Sequence, residues 1–120
     1  MAEIIVLDDV LDAGILLKRI IERMGHSVSV FSEEEEALDY VEKNTVLLAI
    51  LDIKLKKMTG VEVLEELKKR SPETKVIMLT GYPTLETARE AALHGADEYL
   101  VKPVGKKEIE DKVRELLAKR

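Results

Sequence analysis

Apolar and polar residues alternate along this chain with two different periods. Short apolar runs rich in β-branched residues occupy Ile4 to Leu7, Val28 to Phe31, Val46 to Leu51, Val76 to Leu79 and Tyr99 to Val101, and their length and composition predict strands. Segments with helical spacing follow each of them: Ala13 to Met24, Glu33 to Glu42, Val61 to Arg70, Leu85 to His94 and Lys106 to Ala118. The order (βα)5 predicts an α/β fold, a doubly wound five-stranded parallel sheet with helices on both faces. The first, third and fourth runs are apolar throughout, as strands covered on both faces should be.

Local punctuation agrees with these bounds. Ser32 with Glu35 reads as a capping box for the second helix and Thr84 as the cap of the fourth, while Gly25 and Gly95 stand where helix ends favour a left-handed residue. The run Glu33 to Glu36 puts negative charge at the positive end of a helix dipole. On the first helix, Ala13, Leu16, Leu17, Ile20 and Met24 are expected to face the core. That leaves Ile15, near Arg19 and Glu22, as an apolar residue open to a partner. His26 and His94, beside glycines at helix ends, are expected to be solvated. There is no internal repeat, low-complexity tract or linker, so residues 1–120 read as a single domain.

Composition limits the function. A chain of 120 residues can remove roughly two-thirds of its unfolded surface from water, enough for a core. The absence of cysteine excludes a disulfide framework and a thiolate metal site; it suits a reducing compartment, and the cytoplasm is the expected location. No apolar segment approaches the ~20 residues of a membrane helix, and the N-terminus lacks the order of a secretion signal, so no membrane partner is expected. A net charge of -5 argues against direct binding of nucleic acid, which needs clustered Lys and Arg.

Chemistry enters at the strand ends. The first strand ends in Asp8 and Asp9, the third in Asp52, the fourth in Thr80 and Gly81, the fifth in Lys102 and Pro103. In an open parallel sheet these carboxyl ends share one edge, and ligands bind in the crevice outside it. Singly, each residue reads as an ordinary loop or cap residue; together they form one site. Carboxylates so close repel by several kcal/mol per pair at ~4 Å and an effective dielectric of ~20, so they call for a cation. An all-oxygen set without His or Cys suits Mg2+. With Lys102 as a second cation and Thr80 as a hydroxyl donor, the edge is suited to a phosphoryl group in transfer to a carboxylate.

The set VLDD (6–9), ILD (50–52), MTG (58–60), LTGYPT (79–84) and DEYLVKP (97–103) resembles the receiver domain of two-component response regulators across essentially the whole chain. The resemblance implies a flavodoxin-like strand order 2-1-3-4-5. It makes Asp52 the phospho-acceptor, charged by a phosphohistidine of a sensor histidine kinase or a histidine phosphotransfer protein. Asp8 and Asp9 would hold Mg2+ with Asp52 and the backbone carbonyl of Lys54, Asp9 directly and Asp8 mainly through water. Thr80 would be the switch hydroxyl, Lys102 the lysine that pairs with the phosphoryl group, and Tyr99 the switch aromatic. The Lys102–Pro103 bond is expected to be cis. Lys54 and Tyr82 would flank the hydrolytic water and slow dephosphorylation. The surface of the fourth helix, fifth strand and fifth helix would bind an output domain or a second copy. The chain departs from the family pattern at Val10, at Lys56 and Lys57, and at Thr59, where Asp is common; the loop after Asp52 is expected to be more positive and more mobile than usual.

Other readings are weaker. An aspartate-nucleophile phosphohydrolase would carry a second Asp two residues after the first, where this chain has Val10 and Lys54. A flavodoxin-like cofactor carrier would need a Ser, Thr or Gly loop after the first strand. A receiver-like interaction domain independent of phosphorylation would not need an intact site.

Overall fold

The computed structural model describes residues 2–52 and 59–119. Five strands, β1 (Glu3–Leu7), β2 (Ser27–Phe31), β3 (Leu48–Asp52), β4 (Lys75–Thr80) and β5 (Glu98–Val101), alternate with five helices, α1 (Leu11–Glu22), α2 (Glu34–Lys43), α3 (Gly60–Arg70), α4 (Leu85–Leu93) and α5 (Lys106–Ala118). All strand pairings are parallel, in the order β2-β1-β3-β4-β5, which is the expected order. Leu7 lies opposite Leu51, Asp52 opposite Leu79 and Thr80 opposite Val101. This register brings the strand ends to one edge. No helix among the described residues is long and apolar enough to cross a membrane.

The sheet divides the core into two layers, because successive side chains of a strand point to opposite faces. Ile5, Leu7, Ala49, Leu51, Val76 and Met78 face α2, α3 and α4, where they meet Leu38, Leu64, Leu67 and Ala91. Ile4, Val6, Leu48, Ile50, Ile77 and Leu79 face α1 and α5, meeting Ile21, Ile109, Val113 and Leu116. Every residue of β3 is buried, which accounts for its unbroken apolar run. The helices are anchored unequally. Five residues of α3 and three of α5 are buried, but Ala91 alone in α4.

The first helix differs from the expectation. It starts at Leu11, and its buried residues are Gly14 and Ile21; Leu16 is 59% exposed and Ile15 is half-buried. The reason is Gly14. A Cβ there would lie 2.7 Å from Val30 Cγ1, so the helix comes closest to the sheet at a residue that adds nothing to an apolar pattern. Leu16, two residues on, is turned about 200° away from that contact.

The caps also need one correction. The N-cap of α2 is Glu33, with no side-chain capping bond, so the box expected from Ser32 and Glu35 does not form. Ser32 lies one residue too early, and the helix instead begins with Glu34, Glu35 and Glu36 in its first turn. Thr84 does cap α4, and Thr59 caps α3 in a box with Glu62. Thr59 thus does the capping that an Asp would do there. Gly25 and Gly95 have φ of 95° and 94°, the left-handed conformation expected of them. β3 begins at Leu48 rather than Val46, whose carbonyl accepts from Thr74 Oγ1 at 2.8 Å.

The histidines are not simply solvated. His94 Nδ1 is 3.8 Å from a Glu65 carboxylate oxygen. Half-buried His26 accepts the Ala2 N–H at Nδ1, 3.1 Å, and burial lowers its pKa from the ordinary 6.5. A group that binds its proton less readily when folded adds stability above its unfolded pKa, and that stability is lost as pH falls. Between pH 7 and pH 5.5 the Tm should therefore fall, and His26→Gln should flatten that slope. An unchanged slope in the variant would remove His26 as the cause.

Candidate functional site

The carboxyl edge of the sheet collects the acidic residues. Asp8, directly after β1, is 2% exposed, and its Oδ1 accepts the Val10 N–H at 2.9 Å. Asp52 ends β3 and is 7% exposed, while Asp9 is half-buried. One carboxylate oxygen from each of Asp8, Asp9 and Asp52 lies within 4.8 Å of the others. Lys102, just beyond β5, reaches across with Nζ 3.4 Å from Asp8 Oδ2 and 3.5 Å from Asp52 Oδ2. With all four ionised the cluster carries a net charge of about −2. Of the three carboxylates, Asp9 is the one most open to solvent.

Thr80 ends β4 and is 2% exposed. Its Oγ1 accepts the Tyr82 N–H at 3.0 Å, and its carbonyl accepts the Lys102 N–H at 2.7 Å. The first contact leaves the hydroxyl proton available to donate. The Lys102–Pro103 bond is cis, as expected. Tyr82 is 72% exposed. Lys54, Lys56 and Lys57 lie outside the described residues, so the expected carbonyl ligand, the Lys54 part in dephosphorylation and the charge of that loop have no structural account.

Tyr99 packs half-buried against the layer of α2, α3 and α4, and its hydroxyl is 2.8 Å from Thr87 Oγ1. Thr87 carries no mark in the apolar pattern; its one signal in the sequence is its place three residues after the Thr84 cap, the reciprocal position of a capping box.

The donor set fits a hard divalent cation. Three clustered carboxylates with neither His nor Cys supply the oxygen ligands Mg2+ takes, and one half-buried member leaves a way in.

A 2-1-3-4-5 parallel sheet with an acidic cluster at its carboxyl edge defines a CheY-like α/β protein. The model of the response regulator receiver domain matches residues 4–114, and the chain belongs to that family, which serves two-component phosphorelay signalling. Receiver domains generally bind Mg2+ through acidic residues, and they pair with kinases and output domains.

Among its relatives is the transcriptional regulatory protein ZraR of Klebsiella oxytoca, 31% identical over 116 residues, which are 97% of this chain and 26% of that protein. The chain thus spans about a quarter of the length of the curated relatives it matches first. A CheY-like receiver domain protein from Methanospirillum hungatei JF-1 superposes with a TM-score of 0.95 at 36% identity, covering 98% of this chain and 94% of the other. A Burkholderia pseudomallei response regulator, solved with a phosphorylated aspartic acid and a calcium ion, matches with a TM-score of 0.85 at 27% identity, over all of this chain and 76% of that one.

Proposed function

We propose that Asp52 accepts a phosphoryl group from a phosphohistidine of a sensor kinase or phosphotransfer protein. The observation that carries this reading is the meeting of Asp8, Asp9 and Asp52 within 4.8 Å, with Lys102 between two of them. An Asp52 carboxylate oxygen forms the new bond to phosphorus as the P–N bond breaks, its electron pair returning to the imidazole nitrogen. Asp8, Asp9 and Asp52 would hold Mg2+, which supplies charge neutralisation for the carboxylates and the phosphoryl oxygens. Lys102 Nζ, 3.5 Å from Asp52, gives a second positive charge fixed beside the acceptor. The Thr80 hydroxyl accepts the Tyr82 N–H and keeps its own proton to donate to a phosphoryl oxygen. Incubating the protein with acetyl phosphate and Mg2+, then locating the phosphoryl mass on the peptide that holds Asp52, tests the assignment.

Two surfaces complete the reading. The partner docks beside the acidic edge on Val10, Leu11 and Leu16, which are 56%, 57% and 59% exposed. Ile15, half-buried and next to Leu16 in the sequence, belongs to the same proposed contact. Leu16→Asp should slow transfer from the cognate phosphohistidine protein severalfold without slowing labelling by acetyl phosphate; equal slowing of both would show a damaged fold instead. The second surface, α4, β5 and α5, exposes Leu85, Leu93 and Val101 and binds an output domain or a second copy when Thr80 and Tyr99 shift.

A further inference from the structure

The N-terminus of α4 contains a cluster of hydroxyls. Thr87 Oγ1 has four polar neighbours: Thr84 N at 3.2 Å, Thr84 Oγ1 at 2.9 Å, Thr84 O at 3.1 Å and the Tyr99 hydroxyl at 2.8 Å. Thr84 Oγ1 in turn accepts the Thr87 N–H at 3.0 Å. A threonine hydroxyl has one proton and two lone pairs. The Thr84 N–H can only donate, so it takes one lone pair, and the Thr84 carbonyl can only accept, so it competes for the proton. The Thr84 hydroxyl, at 2.9 Å, competes for the same proton and lone pairs, so either oxygen of the Thr87–Tyr99 pair can be the donor.

We infer that Thr87 is a latch which, through its hydrogen bond with the Tyr99 hydroxyl, fastens the N-terminal end of α4 to β5 and makes the capping of that helix and the orientation of Tyr99 one equilibrium. The anchoring of α4 gives this bond its weight. Ala91 is its one buried residue, while Leu85 and Leu93 are 77% and 79% exposed. A helix that buries so little apolar area depends on its remaining contacts. The latch also lies close in sequence to the site: Thr80 holds the Tyr82 N–H, and two residues later Thr84 begins the cap that Thr87 completes. The inference deepens the proposed switch, but it rests on hydroxyl geometry in the unphosphorylated chain. It can therefore fail while phosphoryl transfer to Asp52 stands, and the reverse.

Amide hydrogen exchange in the unphosphorylated protein tests it, with β3 amides as the internal control. Tyr99→Phe keeps the Thr84–Thr87 contacts and removes only the phenol oxygen; it should speed exchange in α4 roughly 2- to 10-fold, the range one hydrogen bond supports, and leave β3 unchanged. Thr87→Val should speed α4 further, since it loses the cap as well, and Thr87→Ser should restore the wild-type rate. In the Thr87→Val background, Tyr99→Phe should add nothing. Overturning results would be unchanged α4 exchange in Tyr99→Phe, an equal increase in both backgrounds, or equal acceleration in β3, which would mean general destabilisation.

Discussion

Asp52→Asn is expected to reduce Mg2+-dependent phosphoryl labelling by acetyl phosphate to background. The substitution keeps the shape of the side chain and removes the charged oxygen that must attack phosphorus. Asp8 is poorly placed to substitute: it is 2% exposed, with one oxygen on the Val10 N–H and the other facing Lys102. Lys102 keeps Asp8 as a partner in the variant, so the fold should survive. Labelling is read by intact mass and by its loss to hydroxylamine, which cleaves an acyl phosphate. A variant labelled as fast as the wild type, or a wild type labelled at Asp9, would refute the assignment.

The second large effect is on stability. Two unit charges at ~4 Å and an effective dielectric of ~20 repel by about 4 kcal/mol, and Lys102 offsets only part of the repulsion among three carboxylates. A divalent cation that binds the native state alone adds about 2.7 kcal/mol at a concentration 100 times its Kd. For a domain of this size that is a rise in Tm of roughly 5–15 °C, reversed by EDTA. Asp9, the least buried of the three, is the safest position to neutralise. Asp9→Asn should melt higher than the wild type in EDTA and respond less to Mg2+. A wild-type Tm that Mg2+ does not move would count against a cation among these carboxylates.

The sheet was legible in the sequence because its central strands are buried on both faces, so Ile4 to Leu7 and Val76 to Leu79 carry no polar residue to blur them. The acidic cluster was legible for a related reason: Asp8 and Asp52 each interrupt an apolar run at a strand end. What escaped depended on contacts distant in sequence. The rotation of α1 is set by Gly14 against Val30, an absence of side chain that apolar periodicity cannot register. Ser32 and Glu35 have the spacing of a capping box, but spacing does not fix where the helix starts, and α2 starts at Glu34. The bond between Thr87 and Tyr99 joins residues 12 apart that meet only once β5 lies beside α4.

The two-layered core gives the outer edge of the sheet an uneven footing. At β5 the layers meet, with α4 above one face and α5 below the other. One flank is fixed by Ile109, Val113 and Leu116; the other rests on Ala91 and a few hydroxyls. A molecule seated across this edge would touch a deeply anchored support and a lightly anchored one together. Any displacement of α4 would reach such a molecule as a change of spacing within its own footprint, without any rearrangement of the protein behind it.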